Sequence, residues 1–206
     1  MNYLRNYLNK RQFLGAMSAA FLLVVAGCNA PDKSENHAGH DHGETAPHFT
    51  YKGSSPIKAV STTGMIHDLV KNIGGTHVQS EALMGAGVDP HLYKATPGDI
   101  RKLSNADIVF YNGLHLEGKM ADVLAKMSER KPSIAVATGV PKEELLTSDS
   151  TTAYPDPHVW FDVQKWIKAG EAVRKSLKEF DPAHAGDYDK NAEAYLKQLR
   201  ELDAYA

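Results

Sequence analysis

Cysteine is almost absent from this chain, which has only Cys28 among its 206 residues. An internal disulfide and a thiolate metal site are both excluded, so histidine and oxygen ligands would have to hold any metal ion. The sequence also lacks a His-Glu-x-x-His pair, a Gly-x-Ser-x-Gly elbow and a glycine-rich phosphate loop. We therefore predict that the protein is not an enzyme, with a zinc-dependent hydrolase as an alternative.

The sequence also has no apolar run long enough for an ordinary transmembrane helix. Its longest apolar stretch, at residues 13–26, is too short to span a bilayer. Three basic residues and no acidic one precede it, and small residues follow it directly before Cys28. This order is typical of a secretory signal that ends in a bacterial lipobox. We predict a signal peptide at 1–27 and a lipidated Cys28 that anchors the protein to the membrane, outside the cytoplasm. A plain signal peptide with an incidental cysteine is the alternative.

Without the predicted leader, the chain has fewer basic than acidic residues. The remaining chain carries 20 lysines and arginines against 25 aspartates and glutamates, a formal charge of −5. A protein that binds nucleic acid would be expected to present a basic face. We therefore predict no nucleic-acid partner, and we expect lipid rather than electrostatic attraction to hold the protein at the membrane.

Residues 28–55 are rich in small and polar residues and poor in large apolar ones. This composition predicts a flexible tether between the lipid and a folded domain. The tether contains four histidines, His37, His40, His42 and His48. These form either a solvated spacer or an auxiliary tract that gathers metal ions weakly, since histidine-rich runs bind metals without a fold.

From residue 56 onward, short apolar runs alternate with amphipathic helical patterns. Strands are expected at 57–61, 78–84, 107–111 and 133–137. Alternation at this spacing predicts an α/β fold over residues 56–180, with a parallel four-stranded sheet flanked by helices. A long helix with one apolar stripe is expected from 181 to 206, because Asp181-Pro182 ends the preceding helix and starts another.

Two segments nearly repeat each other: residues 89–93 read Asp-Pro-His-Leu-Tyr and residues 156–160 read Asp-Pro-His-Val-Trp. Proline stiffens each loop, so each histidine should point in a defined direction. Both loops follow strands, and parallel sheets bind ligands beyond the carboxyl ends of their strands. We predict that His91 and His158 meet there as half of a metal site; loop histidines that bond only to backbone are the alternative. Asp89 and Asp156 would either support the imidazoles or form Asx turns.

Other histidines have weaker patterns. We expect His67 to lie on the domain surface or at a contact, His115 and Glu117 to open a helix, and His77 and His184 to be solvated.

Four spaced motifs resemble a known family. They read Thr-Thr-Gly-Met-Ile at 62–66, Gly-Ala-Gly-Val-Asp-Pro-His-Leu-Tyr at 85–93, Tyr-Asn-Gly-Leu-His-Leu-Glu at 111–117 and Asp-Pro-His-Val-Trp-Phe-Asp at 156–162. From about residue 57 to its end, the chain resembles the zinc- and manganese-binding receptors of bacterial ABC importers. These are the cluster A-I solute-binding proteins, also described as adhesin-like lipoproteins.

This resemblance implies two α/β lobes joined by one long helix, with the metal ion in the cleft and two ligands from each lobe. His91 and His158 match the two ligands of the first lobe. The chain is then expected to be the N-terminal lobe followed by the start of the linking helix, truncated at residue 206 before the second-lobe ligands, a His or Glu and an Asp. The implied cargo is Zn(II) or Mn(II), and the implied partner is the permease of an ABC importer. A metal-buffering surface adhesin is the alternative function.

Overall fold

The computed structural model describes residues 49–147 and 154–206. The predicted signal peptide, Cys28 and the four tether histidines lie outside these ranges. No helix within 49–147 or 154–206 combines the length and the apolar character needed to cross a bilayer.

The sheet has four parallel strands in the spatial order β2-β1-β3-β4. The strands are β1 (Ile57–Ser61), β2 (Val78–Ala82), β3 (Ile108–Tyr111) and β4 (Ser133–Ala135). The predicted α/β class and the parallel four-stranded sheet are therefore confirmed. β4 ends earlier than expected because Val136–Gly139 turns into a short 3-10 helix.

Among the described residues, five α-helices surround the sheet: α1 (Gly64–Gly74), α2 (Pro97–Asn105), α3 (Ala121–Ser128), α4 (Val163–Phe180) and α5 (Ala185–Tyr205). Local chemistry sets several of their starts. Thr96 and Asp99 form a capping box at α2, and the Asp162 side chain accepts a hydrogen bond from the Lys165 amide at α4. The long C-terminal helix was expected.

The sheet separates two hydrophobic cores. The first core lies under α1, α4 and α5, and the second lies under α2 and α3. Side chains of β1 alternate between them, since Ile57 and Ala59 belong to the first core and Val60 to the second. Both faces of the sheet are thus covered, as expected for a parallel sheet. α5 belongs to this lobe, because its Tyr188 and Leu196 are buried in the first core.

The first described residues also contact the lobe. Phe49 and Tyr51 pack against the first core, and the Tyr51 amide donates to the Phe180 carbonyl at 2.6 Å. Within the last part of the predicted tether, residues 49–55, the chain therefore already packs against the folded domain.

In the segment between β3 and α3, a tight turn precedes the expected helix start. Gly113, Leu114 and His115 all have positive φ angles, 82°, 51° and 67°, which form a left-handed turn. Glycine is required at 113, since a Cβ there would lie 2.9 Å from the Ala135 Cβ. Glu117 lies at the N-cap of the short 3-10 helix Gly118–Met120, which leads into α3, so it opens a helix as expected. Its side chain is nevertheless buried, and only 3% of the residue is exposed.

The expectation that His77 and His184 are solvated is wrong. Their rings stack with centroids 3.9 Å apart. His77 Nε2 lies 2.8 Å from Asp187 Oδ2, and His184 Nδ1 lies 2.7 Å from Asp181 Oδ2. Only the packing of α5 beside the start of β2 brings these residues together, so the sequence pattern did not indicate it.

Candidate metal site

The two histidines of the repeated motif lie close together, although the strands that precede them are at opposite edges of the sheet. His91 lies in the segment after β2, and His158 lies in the segment between β4 and α4. β2 and β4 are the two outer strands. His91 Nε2 lies 3.1 Å from His158 Nε2, with the ring centroids 5.2 Å apart and the rings inclined at 56°. The structure therefore brings the predicted pair together.

This separation is close to that of two ligands on one ion. Two imidazole nitrogens that each lie about 2.0–2.1 Å from a tetrahedral Zn(II) stand roughly 3.3–3.4 Å apart. The observed 3.1 Å is only slightly shorter. Small movements of either ring would thus open room for a shared ion. Within residues 49–147 and 154–206, no group of three or more His, Cys, Asp or Glu side chains could hold a metal ion, so the pair stands alone.

The aspartate of each motif fixes the backbone of its histidine. Asp89 Oδ1 accepts the His91 amide at 2.9 Å, and Asp156 Oδ1 accepts the His158 amide at 2.9 Å. Each forms an Asx turn across the intervening proline, which has no amide hydrogen of its own. The Asx-turn role was one of the two expected for these aspartates, and it explains why Asp-Pro-His recurs.

Asp156 also contacts the imidazole that it precedes. Its Oδ1 lies 2.6 Å from His158 Nδ1. The hydrogen bonds from the His158 amide and then from its ring lower the pKa of Asp156. A carboxylate only accepts hydrogen bonds, so neutral His158 carries its proton on Nδ1 and presents the Nε2 lone pair. His91 Nε2–H is then the donor in the contact between the rings.

The aromatic residue two positions after each histidine anchors its loop. Tyr93 packs on the second core and donates to Asp99 Oδ2 at 2.7 Å. Burial, followed by this hydrogen bond, raises the pKa of Tyr93 to about 12. Trp160 packs on the first core, edge-on to the His158 ring at 5.2 Å. Each histidine loop is therefore fastened to a different face of the sheet.

The two imidazoles differ in exposure. His91 is exposed and His158 is half-buried. Apolar side chains beside them point to solvent, since Leu92 is 69% exposed and Phe161 is 81% exposed. A small cavity of about 230 Å³ adjoins His158 and is lined in part by Asp156 and Phe161. The pair thus lies at an open, largely apolar rim where an ion can enter from solvent.

Sequence reasoning missed one contact that supports this rim. The Asn112 side-chain amide donates to the Pro157 carbonyl at 3.0 Å, immediately before His158. Glu117, which opens the 3-10 helix Gly118–Met120 as expected, also accepts a hydrogen bond from the Asn112 backbone amide at 2.7 Å. The dipeptide Asn112-Gly113 directly after an apolar strand is a turn signal and could have indicated the turn, although not the contact with Pro157.

Comparison with known proteins gives a consistent set of relatives. Residues 59–206 match the model of a family described as zinc-uptake complex component A, periplasmic. The manganese-binding lipoprotein MntA of Bacillus subtilis (strain 168) is 47% identical over 150 residues, which cover 73% of this chain and 49% of that protein. The iron ABC transporter substrate-binding lipoprotein MtsA of Streptococcus pyogenes serotype M1 is 33% identical, covering 94% of this chain and 58% of that protein.

The fold is also found in a solved structure. The periplasmic zinc-binding protein TroA from Treponema pallidum superposes with a TM-score of 0.70 at 44% identity, covering 74% of this chain and 54% of that one. The chain spans about half the length of the curated relatives it matches.

Proposed function

Since this chain belongs to the family of zinc-uptake complex component A, periplasmic, we propose that it captures Zn(II) or Mn(II) outside the cytoplasm and delivers it to the permease of an ABC importer. The resemblance seen in the sequence motifs is confirmed by the family match and by the relatives. These are metal-binding substrate-binding lipoproteins of ABC transporters rather than enzymes, which removes the hydrolase alternative.

One observation carries the proposal. His91 Nε2 and His158 Nε2 lie 3.1 Å apart at the carboxyl-end rim of the sheet. Both nitrogens belong to loops that proline and an Asx turn stiffen, so a shared ion would need little rearrangement of the backbone. The proposed cargo site consists of these two imidazoles, with further ligands supplied from outside residues 49–147 and 154–206.

The choice of metal follows from ligand chemistry. Imidazole suits zinc, while carboxylate and other oxygen ligands favour manganese. The names of the relatives include manganese, zinc and iron, so membership of the family does not select the ion. We propose that the two histidines supply affinity and that the remaining oxygen ligands tune the preference between Zn(II) and Mn(II).

Calorimetric titration with each metal ion tests the site. We expect His91→Ala and His158→Ala each to weaken the tight binding by more than about tenfold, because loss of an outer-shell partner alone commonly costs 10- to 100-fold. His67→Ala is the matched control, since His67 is a half-buried histidine that contacts Ser80 at 2.9 Å. Parental affinity in both test variants would refute the proposed site.

The N-terminal predictions extend this proposal. Replacing the four tether histidines, His37, His40, His42 and His48, should remove only weak additional binding and leave the tight site intact. Lipidation of Cys28 would hold the receptor beside its permease. Partitioning of the parent into detergent that persists in Cys28→Ser would contradict lipid anchoring at this residue.

A further inference from the structure

A buried carboxylate is linked to the candidate metal site through Asn112, although it is not part of that site. Glu117 is 3% exposed and accepts three hydrogen bonds, from Thr62 Oγ1 at 2.7 Å, the Asn112 amide at 2.7 Å and the Gly113 amide at 3.2 Å. Burial raises its pKa. Thr62 follows β1 and Asn112 follows β3, so Glu117 connects the carboxyl ends of the two inner strands.

These hydrogen bonds place the Asn112 side chain. Asn112 is 1% exposed, and its Nδ2 donates to the Gly113 carbonyl at 3.1 Å and to the Pro157 carbonyl at 3.0 Å. Its Oδ1 is buried without a hydrogen-bond partner among the described residues. The opposite amide orientation would point Oδ1 at two carbonyl oxygens, so the observed orientation is the favourable one.

The Pro157 carbonyl, which accepts the hydrogen bond from Asn112, also sets the backbone conformation of His158. Pro157 O also accepts the Val159 amide at 2.9 Å, closing a three-residue turn with His158 at its centre. The φ and ψ of His158 are −81° and 49°, close to an inverse γ-turn. Both acceptor positions of this carbonyl are thus in use. Rotation of the peptide plane would change the direction of the imidazole, and Asn112 opposes that rotation.

From these contacts we infer that Asn112 is a positioning residue for metal capture. Held by Glu117, it fixes the Pro157 carbonyl and thereby aims His158 Nε2 at the site. This inference rests on the proposed function. It makes His158 the preset ligand of the pair, while His91 lies on an exposed loop and adjusts to the ion.

The decisive variant is Asn112→Leu, which has nearly the same size, removes the donor and also removes the unpaired oxygen. Zn(II) alone is titrated into the full chain by calorimetry, and the His158 ring nitrogens are followed by long-range ¹H–¹⁵N correlation spectra. We expect affinity to fall about 10- to 100-fold, as for loss of other outer-shell partners. The His158 nitrogen signals of the metal-free protein should move towards a tautomer average, while the unfolding midpoint stays near that of the parent.

Asn191→Leu is the matched control. Its side-chain amide donates to the Ile73 carbonyl at 3.2 Å, the same kind of bond on the α1–α5 contact, away from the histidine pair. It should leave the affinity and the His158 signals unchanged. Asn112→Ser, which is too short to reach Pro157, replaces Asn112→Leu if the leucine variant does not fold, and the same losses are expected.

The outcomes separate the two proposals. If the parent binds Zn(II) through His91 and His158, and the Asn112 variant binds equally with unchanged His158 signals, the positioning role is refuted and the proposed function stands. If the parent shows no Zn(II) binding that depends on the two histidines, the proposed function fails and the positioning role fails with it. The inference would also be overturned if Asn191→Leu weakened Zn(II) binding as much as Asn112→Leu does. The loss of any side-chain amide hydrogen bond would then be enough to weaken binding, and the position of Asn112 would not matter.

Discussion

Two tyrosines of α5 make the same hydrogen bond in different surroundings, and this contrast gives a sharp stability prediction. Tyr188 is fully buried and donates to Asp181 Oδ2 at 2.7 Å, and Asp181 is itself 5% exposed. Tyr195 is half-buried and donates to Asp68, which is exposed. Tyr188→Phe and Tyr195→Phe remove the same hydroxyl group, but the first leaves a buried carboxylate without its donor and the second leaves an exposed one.

A buried carboxylate that loses a donor is not rehydrated, whereas an exposed one is. Hydrogen bonds to charged groups contribute about 1.5–3 kcal/mol. Asp181 retains the contact with His184 at 2.7 Å, so we expect Tyr188→Phe to lower the free energy of unfolding by about 2 kcal/mol. Tyr195→Phe should cost about 0.5 kcal/mol or less, because water replaces the lost donor on an exposed carboxylate. Urea unfolding at pH 7, followed by tryptophan fluorescence, measures both.

The pH dependence supplies a second readout. Burial, and then the bond to Asp181, raises the pKa of Tyr188. A raised folded-state pKa means that the stabilisation is fully present below the unfolded value of about 10 and is lost as pH rises above it. The difference between the parent and Tyr188→Phe should therefore be constant from about pH 6 to 9 and shrink above about pH 10. Equal costs for the two variants at pH 7 would refute the reasoning.

Two further changes test the packing and the capping of the lobe. A Cβ at Gly139 would lie 2.5 Å from the Lys168 backbone oxygen. Gly139→Ala should therefore lower the free energy of unfolding by about 1–3 kcal/mol, which a thermal scan would register as a melting temperature several degrees lower. Gly64→Ala is the control and should leave the melting temperature unchanged, because a Cβ at Gly64 would meet nothing within 4 Å. Burial alone would raise the pKa of Asp99, but hydrogen bonds chiefly from Thr96 lower it overall. Asp99→Asn should therefore cost about 1 kcal/mol in urea unfolding at pH 7, and this difference should begin to fade as pH falls below about 4. A cost that does not decrease at all with falling pH would contradict the capping argument.

The fold was largely predictable because its signals are local. Short apolar runs alternate with amphipathic segments, and Thr96 and Asp162 mark helix starts that need no tertiary information. The meeting of His91 and His158, 67 residues apart, was also within reach. It follows from a general property of parallel sheets, whose loops converge at the carboxyl ends of the strands. Their role as metal ligands stays a prediction.

The remaining features depend on packing that no local pattern encodes. Asn112 reaches Pro157 across 45 residues, and His77 reaches Asp187 across 110. Glu117 does lie at a helix start, where an acidic residue is common, but its burial beside a left-handed turn was not predicted. A buried carboxylate satisfied by backbone amides becomes recognisable only when the neighbouring strand ends are known.

The anchoring of the two histidine loops on opposite faces of the sheet has an evolutionary consequence. Tyr93 ties one imidazole to the layer under α2 and α3, and Trp160 ties the other to the layer under α1, α4 and α5. A substitution within one layer would then shift one nitrogen while the other keeps its place. If the pair binds a metal ion as proposed, drift in either layer would widen or narrow the distance between the two nitrogens by fractions of an ångström. Descendants of one scaffold would then come to prefer ions of different radius while keeping both histidines.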